Sequence, residues 1–216
     1  MVFRLDERMI FPDPRLGEPD GLFAVGGDLS VPRLLLAYRN GIFPWYPFSD
    51  TNEIHWYCPM KRFVIFPSEI HVSHSMRTLM RKELYRITVD EAFPKVIHAC
   101  GIADGRDKMP GAWLGPNIEE AYNELHRLGY ALSVEVWQGD ELVGGLYGVT
   151  MGRTFIGESM FSLVPNGSKL ALIHLANAMD ALGGSIIDCQ LRTPHLESMG
   201  ARYIDYDEYM DILTRP

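Results

Sequence analysis

Two short motifs carry polar side chains at the points where apolar runs end. Asp188 and Gln190 follow the apolar pair Ile186-Ile187, and Glu158 stands in the stretch 157–162, Gly-Glu-Ser-Met-Phe-Ser. Both runs are predicted to be strands, because short apolar runs bounded by polar residues are typical of a sheet. Positions two apart on an extended chain face one side, so Asp188 and Gln190 are expected to point together. A carboxylate and a carboxamide at a sheet rim indicate an enzyme.

The elements that must position these groups follow from the pattern of the chain after residue 59. The predicted helices cover 73–82, 90–99, 117–128, 169–182 and a short segment from Thr193-Pro194 to Gly200, and the predicted strands cover 132–136, 142–150, 153–157 and 185–189. The turn sequence at 138–141 predicts a hairpin. The first sixty residues are rich in turns, with one helix predicted over 31–39.

The contrast between the turn-rich first sixty residues and the regular helices and strands that follow predicts two domains. Residues 1–58 are expected to form a small N-terminal α/β domain and residues 59–216 a larger domain, which makes the fold class α+β. The chain has 216 residues, of which 47% are hydrophobic, and this is enough for a buried core. Three cysteines, at 58, 100 and 189, cannot all pair within the chain, which favours a reduced cytoplasm. No signal peptide or apolar membrane span is predicted.

Two kinds of chemistry are disfavoured by the residues. His71 and His74 share a helical spacing, but no third ligand follows in register, so no metal site is predicted. Ser159 and Ser162 lack the Gly-x-Ser-x-Gly pattern of a serine nucleophile.

The chain is acidic overall but contains one region rich in cations. Twenty Lys and Arg against twenty-eight Asp and Glu give a net charge of −8. Six cations nevertheless concentrate in one region, opposed by Glu69 and Glu83 alone: Lys61, Arg62, Arg77, Arg81, Lys82 and Arg86. On residues alone this cluster is either a solvated helix face or a surface that meets phosphate.

Several blocks of the sequence together resemble one known family. The blocks are Glu18-Pro19-Asp20-Gly21-Leu22, Gly26-Gly27-Asp28-Leu29-Ser30, Gly41-Ile42-Phe43-Pro44-Trp45, Ser133-Val134-Glu135-Val136-Trp137, Leu142-Val143-Gly144-Gly145-Leu146-Tyr147-Gly148-Val149 and the two polar motifs. In this order they resemble the leucyl/phenylalanyl-tRNA-protein transferase family. The resemblance implies that the larger domain has an N-acetyltransferase-like acyltransferase fold, a mixed sheet flanked by helices.

The resemblance also implies an activity. Members of the family move Leu or Phe, and less well Met, from aminoacyl-tRNA to the N-terminal Arg or Lys of a protein, which marks that protein for degradation by the N-degron route. We expect a cytoplasmic monomer that uses no cofactor and no membrane. The phosphate-binding loop of acetyl-CoA enzymes, Gln/Arg-x-x-Gly-x-Gly/Ala, does not match residues 163–168, so acetyl-CoA is disfavoured as acyl donor.

The matching positions imply roles for individual residues. Asp188, Gln190 and Glu158 are catalytic: Gln190 orients the attacking amine, Asp188 orients Gln190, and the two carboxylates attract the acceptor cation. The substrate-binding positions comprise two tryptophans that stack on the terminal adenosine, apolar pocket residues and polar groups near the substrate backbone: Trp45, Trp113, Leu146, Phe155, Gly157, Ser162, Asn166, Ser168, Leu175 and Ile187. The cationic cluster would contact tRNA.

One rival function from another class stays open. A non-catalytic module that binds basic N-termini would use Glu158 and Asp188 as recognition carboxylates. Such a module leaves Gln190 and both tryptophans without a role.

Overall fold

Four strands between Phe3 and Tyr57 build a small sheet. A computed structural model describes residues 1–45, 53–103 and 115–215. The first sheet has the order β1-β2-β4-β3. Its elements are β1 (Phe3–Leu5), β2 (Leu22–Gly26), helix α1 (Val31–Arg39), β3 (Phe43–Trp45) and β4 (His55–Tyr57).

A second, seven-stranded sheet takes up most of the remaining chain. Its strands are β5 (Lys61–Ile65), β6 (Arg86–Val89), β7 (Ala131–Gln138), β8 (Glu141–Met151), β9 (Thr154–Ser162), β10 (Ile186–Asp188) and β11 (Arg202–Asp205), in the order β11-β5-β10-β9-β8-β7-β6. Strand β10 is parallel to β9 and antiparallel to β5, and the other neighbours are antiparallel. The helices are α2 (His74–Arg81), α3 (Phe93–Ile102), α4 (Pro116–Arg127), α5 (Gly167–Ala181), α6 (Pro194–Ser198) and α7 (Tyr206–Leu213).

The predicted α+β class is confirmed, and the predicted elements recur with shifted ends. The helix predicted from residue 90 begins at Phe93, because Asp90 has a φ of 64°, which no α-helix accommodates. The strand predicted to end at Gly157 continues to Ser162, since β8 offers a partner along this length. Glu158 therefore lies within a strand and not beyond its end. Strands β1 to β6 and β11 and helix α7 were not predicted.

Alternate residues of the second sheet face two different buried clusters. On one face, Tyr147 packs in a cluster with residues of α3 and α4, and on the other face Leu146 packs in a cluster with α5. The first sheet joins the α3–α4 face, since Trp56 and Leu34 belong to the same cluster as Tyr147. One continuous core thus underlies both sheets, and the division at residue 58 stays a prediction.

The neighbouring strands β9 and β10 part soon after they meet. They pair from Ile186 opposite Thr154 to Asp188 opposite Ile156. Beyond that point β9 continues, whereas the chain after β10 turns away because Gln190 adopts a left-handed backbone with a φ of 62°. The parting of these strands creates a cavity. In the described ranges, no helix is both long and apolar enough to cross a membrane.

Candidate active site

A cavity of 370 Å³ lies where β9 and β10 part. Its apolar wall comes from β8, β9, β10 and α5 and includes Leu146, Phe155, Ile187 and Leu172. Glu158 and Gln190 contribute polar groups to the same cavity. The structure thus brings together four of the predicted substrate-binding positions with the predicted catalytic residues: Leu146, Phe155, Gly157 and Ile187.

One predicted pocket residue has a different place. Leu175 is buried in the apolar cluster on this face but is not among the residues that line the cavity. Leu172, almost one helical turn earlier on α5, contributes to the wall in its stead. The sequence indicates the correct helix face, because residues three apart on a helix lie side by side.

Glu158 is held by three neutral hydrogen-bond donors. The hydroxyl of Tyr38 from α1 donates to its Oε1 at 2.8 Å, and the hydroxyl of Tyr122 from α4 contacts its Oε2 at 3.0 Å. The side chain of Gln190 donates to Oε1 at 3.2 Å. Glu158 is only 8% exposed, and burial raises its pKa from 4.5 to about 7, while the hydrogen bonds from the tyrosines oppose this rise. A carboxyl group that titrates near neutrality can accept or release a proton.

Gln190 is positioned by both of the predicted catalytic carboxylates. Its backbone N–H donates to Asp188 Oδ1 at 2.8 Å, while its carboxamide reaches Glu158. The expectation that Asp188 and Gln190 share one side of an extended chain is wrong, because the strand ends at Asp188 and the backbone of Gln190 is left-handed. The pair is still joined, through the backbone of Gln190.

Asp188 is buried against a cation and is 0% exposed. Its carboxylate is ion-paired with Arg62, which also donates through Nε to Oδ1 at 3.3 Å, and the hydroxyl of Tyr209 from α7 donates to Oδ2 at 2.8 Å. The negative charge of Asp188 is therefore compensated inside the protein. A buried charge of this kind requires such a partner, since it has no access to water.

The predicted role of Arg62 in contacting tRNA is corrected by its burial. Arg62 is 1% exposed and its guanidinium stacks on the rings of Phe43 and Tyr209, at 4.9 and 4.6 Å from their centroids. Its Nη1 donates to the carbonyl of Gly41 at 2.6 Å. Gly41 has a φ of 71°, and a Cβ there would lie 3.1 Å from the ring of Tyr209. Arg62 thus ties the segment before β3 to the end of β10.

Trp45 lies beside the catalytic groups. A second cavity, of 160 Å³, is lined by Trp45 and Phe43 together with Glu158 and Gln190. The indole is 37% exposed and packs against Tyr57, with 5.4 Å between the ring centroids. A partly exposed aromatic ring at this position can stack on a base. The other predicted tryptophan, Trp113, lies outside the described residues.

The three remaining polar candidates lie between the end of β9 and the first turn of α5. Ser162 Oγ accepts from the N–H of Ser168 at 3.1 Å and donates to the carbonyl of Val164 at 2.7 Å, and Asn166 has a left-handed backbone just before the helix. These contacts shape the turn into α5. None of these three residues lines the two cavities that contain Glu158.

The predicted cationic cluster does not form one continuous surface. Lys61 and Arg86 are exposed, but Lys61 lies on β5 and Arg86 on the edge strand β6, and four strands separate them. Arg86 is also ion-paired with Glu91 and stacks on Trp137. Three exposed cations remain together on and next to α2: Arg77, Arg81 and Lys82.

A larger cavity, of 690 Å³, lies elsewhere, between the loop after β2 and α4. Its wall contains Asp28, Glu53 and Glu124, and each of these is ion-paired with an arginine. None of the predicted site residues lines it. We therefore place the active site at the smaller cavities, where the chemistry-bearing groups meet.

Sequence reasoning missed the two tyrosines at Glu158 and the one at Asp188. Tyr38, Tyr122 and Tyr209 are 1%, 0% and 0% exposed, and each reaches a catalytic carboxylate from a distant part of the chain. Their positions on apolar helix faces look like ordinary core positions. A buried hydroxyl needs a polar partner, and only the contacts between distant parts of the chain show which partner each of these tyrosines has.

The chain is similar to known proteins over nearly its whole length. Residues 64–214 match the family described as leucyl/phenylalanyl-tRNA protein transferase, and residues 27–60 match the N-terminal domain of that family. The chain is 51% identical to the leucyl/phenylalanyl-tRNA–protein transferase of Syntrophobacter fumaroxidans, with 99% of this chain and 90% of that protein covered. It is 48% identical to the same enzyme of Pseudomonas fluorescens, with 96% and 91% covered.

Solved structures with a similar fold include a GCN5-related N-acetyltransferase from Kribbella flavida. It shares 11% identity and a TM-score of 0.41, with 78% of this chain and 58% of that chain covered. The structure of L-PGS from Bacillus licheniformis has 12% identity and a TM-score of 0.46, with 89% and 73% covered.

Proposed function

This chain belongs to the leucyl/phenylalanyl-tRNA-protein transferase family, and we propose that it moves Leu or Phe, and less well Met, from aminoacyl-tRNA to the N-terminal Arg or Lys of acceptor proteins. The observation that carries this proposal is an apolar cavity with Glu158 and Gln190 in its wall. An apolar side chain can enter the cavity while the ester carbonyl of the donor stays beside the polar groups.

The cavity suits an unbranched or γ-branched apolar side chain. Phe155, Ile187 and Leu172 form a wall without charged groups, so the donor is selected by shape and by burial of apolar surface. One methylene changes binding in such a pocket by only about 1–3 kcal/mol, which is why several apolar amino acids can share it. Side chains that branch at Cβ would be excluded by shape.

The reaction needs orientation more than a strong base. The aminoacyl ester is already activated. An α-amine has an ordinary pKa of about 8, so a useful fraction of the amine is neutral at physiological pH. The amine nitrogen attacks the ester carbonyl, a C–N bond forms, the bond to the tRNA 3′-oxygen breaks, and one N–H proton of the amine is transferred overall to that oxygen. Gln190 lies where it can orient the amine, and Asp188 holds Gln190 through its backbone N–H.

The acceptor is recognised by negative charge at the site. Ionised Glu158 attracts a cationic Arg or Lys side chain or the α-ammonium of the acceptor, whereas the charge of Asp188 is compensated by Arg62. Charged tRNA, the other substrate, contacts Trp45 with its terminal adenosine and the cations at α2 with its phosphates. The enzyme acts as a cytoplasmic monomer without a cofactor, and its product enters the N-degron route.

A transfer assay tests this proposal. Purified protein is incubated with Leu-tRNA or Phe-tRNA carrying a labelled amino acid, together with one acceptor that begins with Arg and a second that differs only in beginning with Ala. Label is expected on the Arg acceptor alone. Binding of the Arg acceptor without transfer of label would favour the recognition module, and transfer to both acceptors would refute the acceptor rule.

A further inference from the structure

Four oxygen atoms form a ring that the carboxyl carbon of Glu158 closes: the two carboxylate oxygens of Glu158 and the hydroxyls of Tyr38 and Tyr122. Tyr38 contacts Oε1 of Glu158 and Tyr122 contacts Oε2, at 2.8 and 3.0 Å, and the two tyrosine hydroxyls are hydrogen-bonded to each other. All three side chains are buried. The ring joins α1, α4 and β9, which are elements of distant parts of the chain.

A count of protons shows which form of Glu158 the ring fits. Three oxygen-to-oxygen contacts need three protons, and the two tyrosines supply only one each. When Glu158 is ionised, one contact of the ring is left with lone pairs facing each other. When Glu158 holds a proton, it donates to Tyr122, Tyr122 donates to Tyr38, and Tyr38 donates back to Oε1. The side chain of Gln190 donates to Oε1 in either form.

We propose that Glu158 takes up the proton released by the attacking amine, and that Tyr38 and Tyr122 are positioning residues whose hydrogen-bond ring closes when Glu158 holds that proton. This inference rests on the proposed transfer reaction. The step balances: the C–N bond forms as one amine proton passes to Glu158, and Glu158 then gives a proton to the tRNA 3′-oxygen as its bond to the carbonyl carbon breaks. The acceptor becomes an amide, the tRNA regains its 3′-hydroxyl, and Glu158 returns to its ionised form.

The surroundings of Glu158 support a proton that can come and go. No cation forms an ion pair with Glu158 among the residues that the structure describes, because the nearby guanidinium of Arg62 is engaged by Asp188. Burial is the main cause that raises the pKa of Glu158 to about 7, and Tyr38 and Tyr122, taken as two separate donors to the ionised carboxylate, lower it. Burial also raises the pKa of Tyr38, Tyr122 and Tyr147 well above the ordinary value, so these tyrosines keep their protons.

Removing one tyrosine hydroxyl changes the pKa of Glu158 in opposite directions for a closed ring and for two independent donors. Hydroxyls that merely donate to an ionised carboxylate lower its pKa, so removing one of them would raise the pKa of Glu158. In the ring, Tyr122→Phe removes two hydrogen bonds from the protonated form and only one from the ionised form. The single bond lost from the ionised form is the stronger one, but the change also removes the facing lone pairs of the ionised ring. We therefore expect the pKa of Glu158 to fall in Tyr122→Phe, and in Tyr38→Phe for the same reason.

Infrared titration of the intact protein measures this sign directly. The carbonyl band of protonated Glu158 is identified by its absence in Glu158→Gln and is followed between about pH 5 and about pH 9. Tyr147→Phe serves as the matched control, since Tyr147 packs its ring on Tyr122 at 5.7 Å and its buried hydroxyl has no hydrogen-bond partner among the described residues. The control should titrate like the unmodified protein. A pKa that rises or stays constant in both Tyr38→Phe and Tyr122→Phe overturns the ring.

Kinetics then separate this inference from the proposed function. In both tyrosine variants the acid limb of the kcat/KM profile should move to lower pH and the plateau should fall about tenfold, with little change in KM for charged tRNA. An unmoved acid limb would mean that Glu158 does not accept the proton. If the unmodified protein transfers no label at all, the transferase proposal fails, whereas the infrared titration still decides whether the ring exists.

Discussion

Arg62→Met should leave Asp188 as an uncompensated buried charge. The two side chains are 1% and 0% exposed, so the solvent does not screen their ion pair. Removing one partner of a buried ion pair costs about 3–5 kcal/mol, and the change also removes the hydrogen bond to the carbonyl of Gly41. Folded domains are stable by only about 5–15 kcal/mol, so this loss brings the protein close to unfolding.

The double variant Arg62→Met with Asp188→Asn separates charge from packing. Both charges are then absent, and the asparagine oxygen can still accept from the N–H of Gln190. Replacing a whole buried ion pair by neutral groups is often close to neutral, so the double variant should recover most of the lost stability. Turnover should recover with it if Asp188 acts by positioning Gln190.

Urea unfolding measures these free energies, with equal slopes confirming that all variants unfold from the same compact state. Arg62→Lys is the conservative control, because lysine keeps the charge but cannot contact both Asp188 oxygens and Gly41 at once. We expect it to lose about 1–3 kcal/mol. A double variant no more stable than Arg62→Met would refute the ion-pair reasoning, and a stable double variant with no gain in turnover would show that the charge of Asp188 itself contributes.

Three further predictions follow from the site. Glu158→Gln should stabilise the fold at high pH. Because the pKa of Glu158 is raised from 4.5 to about 7 in the folded state, the stability that is fully present below pH 4.5 is lost as the pH rises through 7. Unfolding measured at about pH 8 should therefore show a gain of about 3 kcal/mol in the free energy of unfolding, and this gain should vanish at about pH 4. Trp45→Ala should raise KM for charged tRNA about tenfold with kcat nearly unchanged, by loss of one stacked base, and a fall in kcat alone would contradict this role. Replacing Arg77, Arg81 and Lys82 together by Ala should reduce the slope of the logarithm of tRNA affinity against the logarithm of salt concentration by roughly 2. Lys61→Ala tests separately whether β5, which four strands separate from β6, contributes to tRNA binding.

Local patterns in the sequence predicted four strands of the larger sheet, and they predicted that the apolar run before Gln190 ends at a polar residue, Asp188. The hairpin of β7 and β8 and helix α5 follow from alternation, turn residues and helical spacing. Arg62 shows the limit of this reasoning. As neighbours in sequence, Lys61 and Arg62 look like one cationic surface, but on strand β5 alternate residues face opposite sides, so Lys61 is exposed and Arg62 is buried.

The tyrosines could not be predicted by local reasoning, because the contacts that give them a role cross the fold. Tyr38 and Glu158 are 120 residues apart, and Tyr122 and Glu158 are 36 apart. Neither α1 nor α4 reveals in its own sequence which strand it covers. The left-handed backbone of Gln190 was missed for a related reason, since the acceptor of its N–H is the carboxylate of Asp188, whose position depends on Arg62.

The two carboxylates that we propose as catalytic, Asp188 and Glu158, differ because their partners differ. Asp188 faces the guanidinium of Arg62, a cation that compensates its charge inside the protein. Glu158 faces two hydroxyls and a carboxamide, all of them neutral, so burial is left as the main influence and its ionised form costs free energy. One carboxylate is therefore suited to hold a fixed charge and a fixed geometry, and the other is suited to exchange a proton. Gln190 binds Asp188 by its backbone and Glu158 by its side chain. In the proposed reaction, the position of the amine therefore depends on Asp188 and the fate of its proton on Glu158.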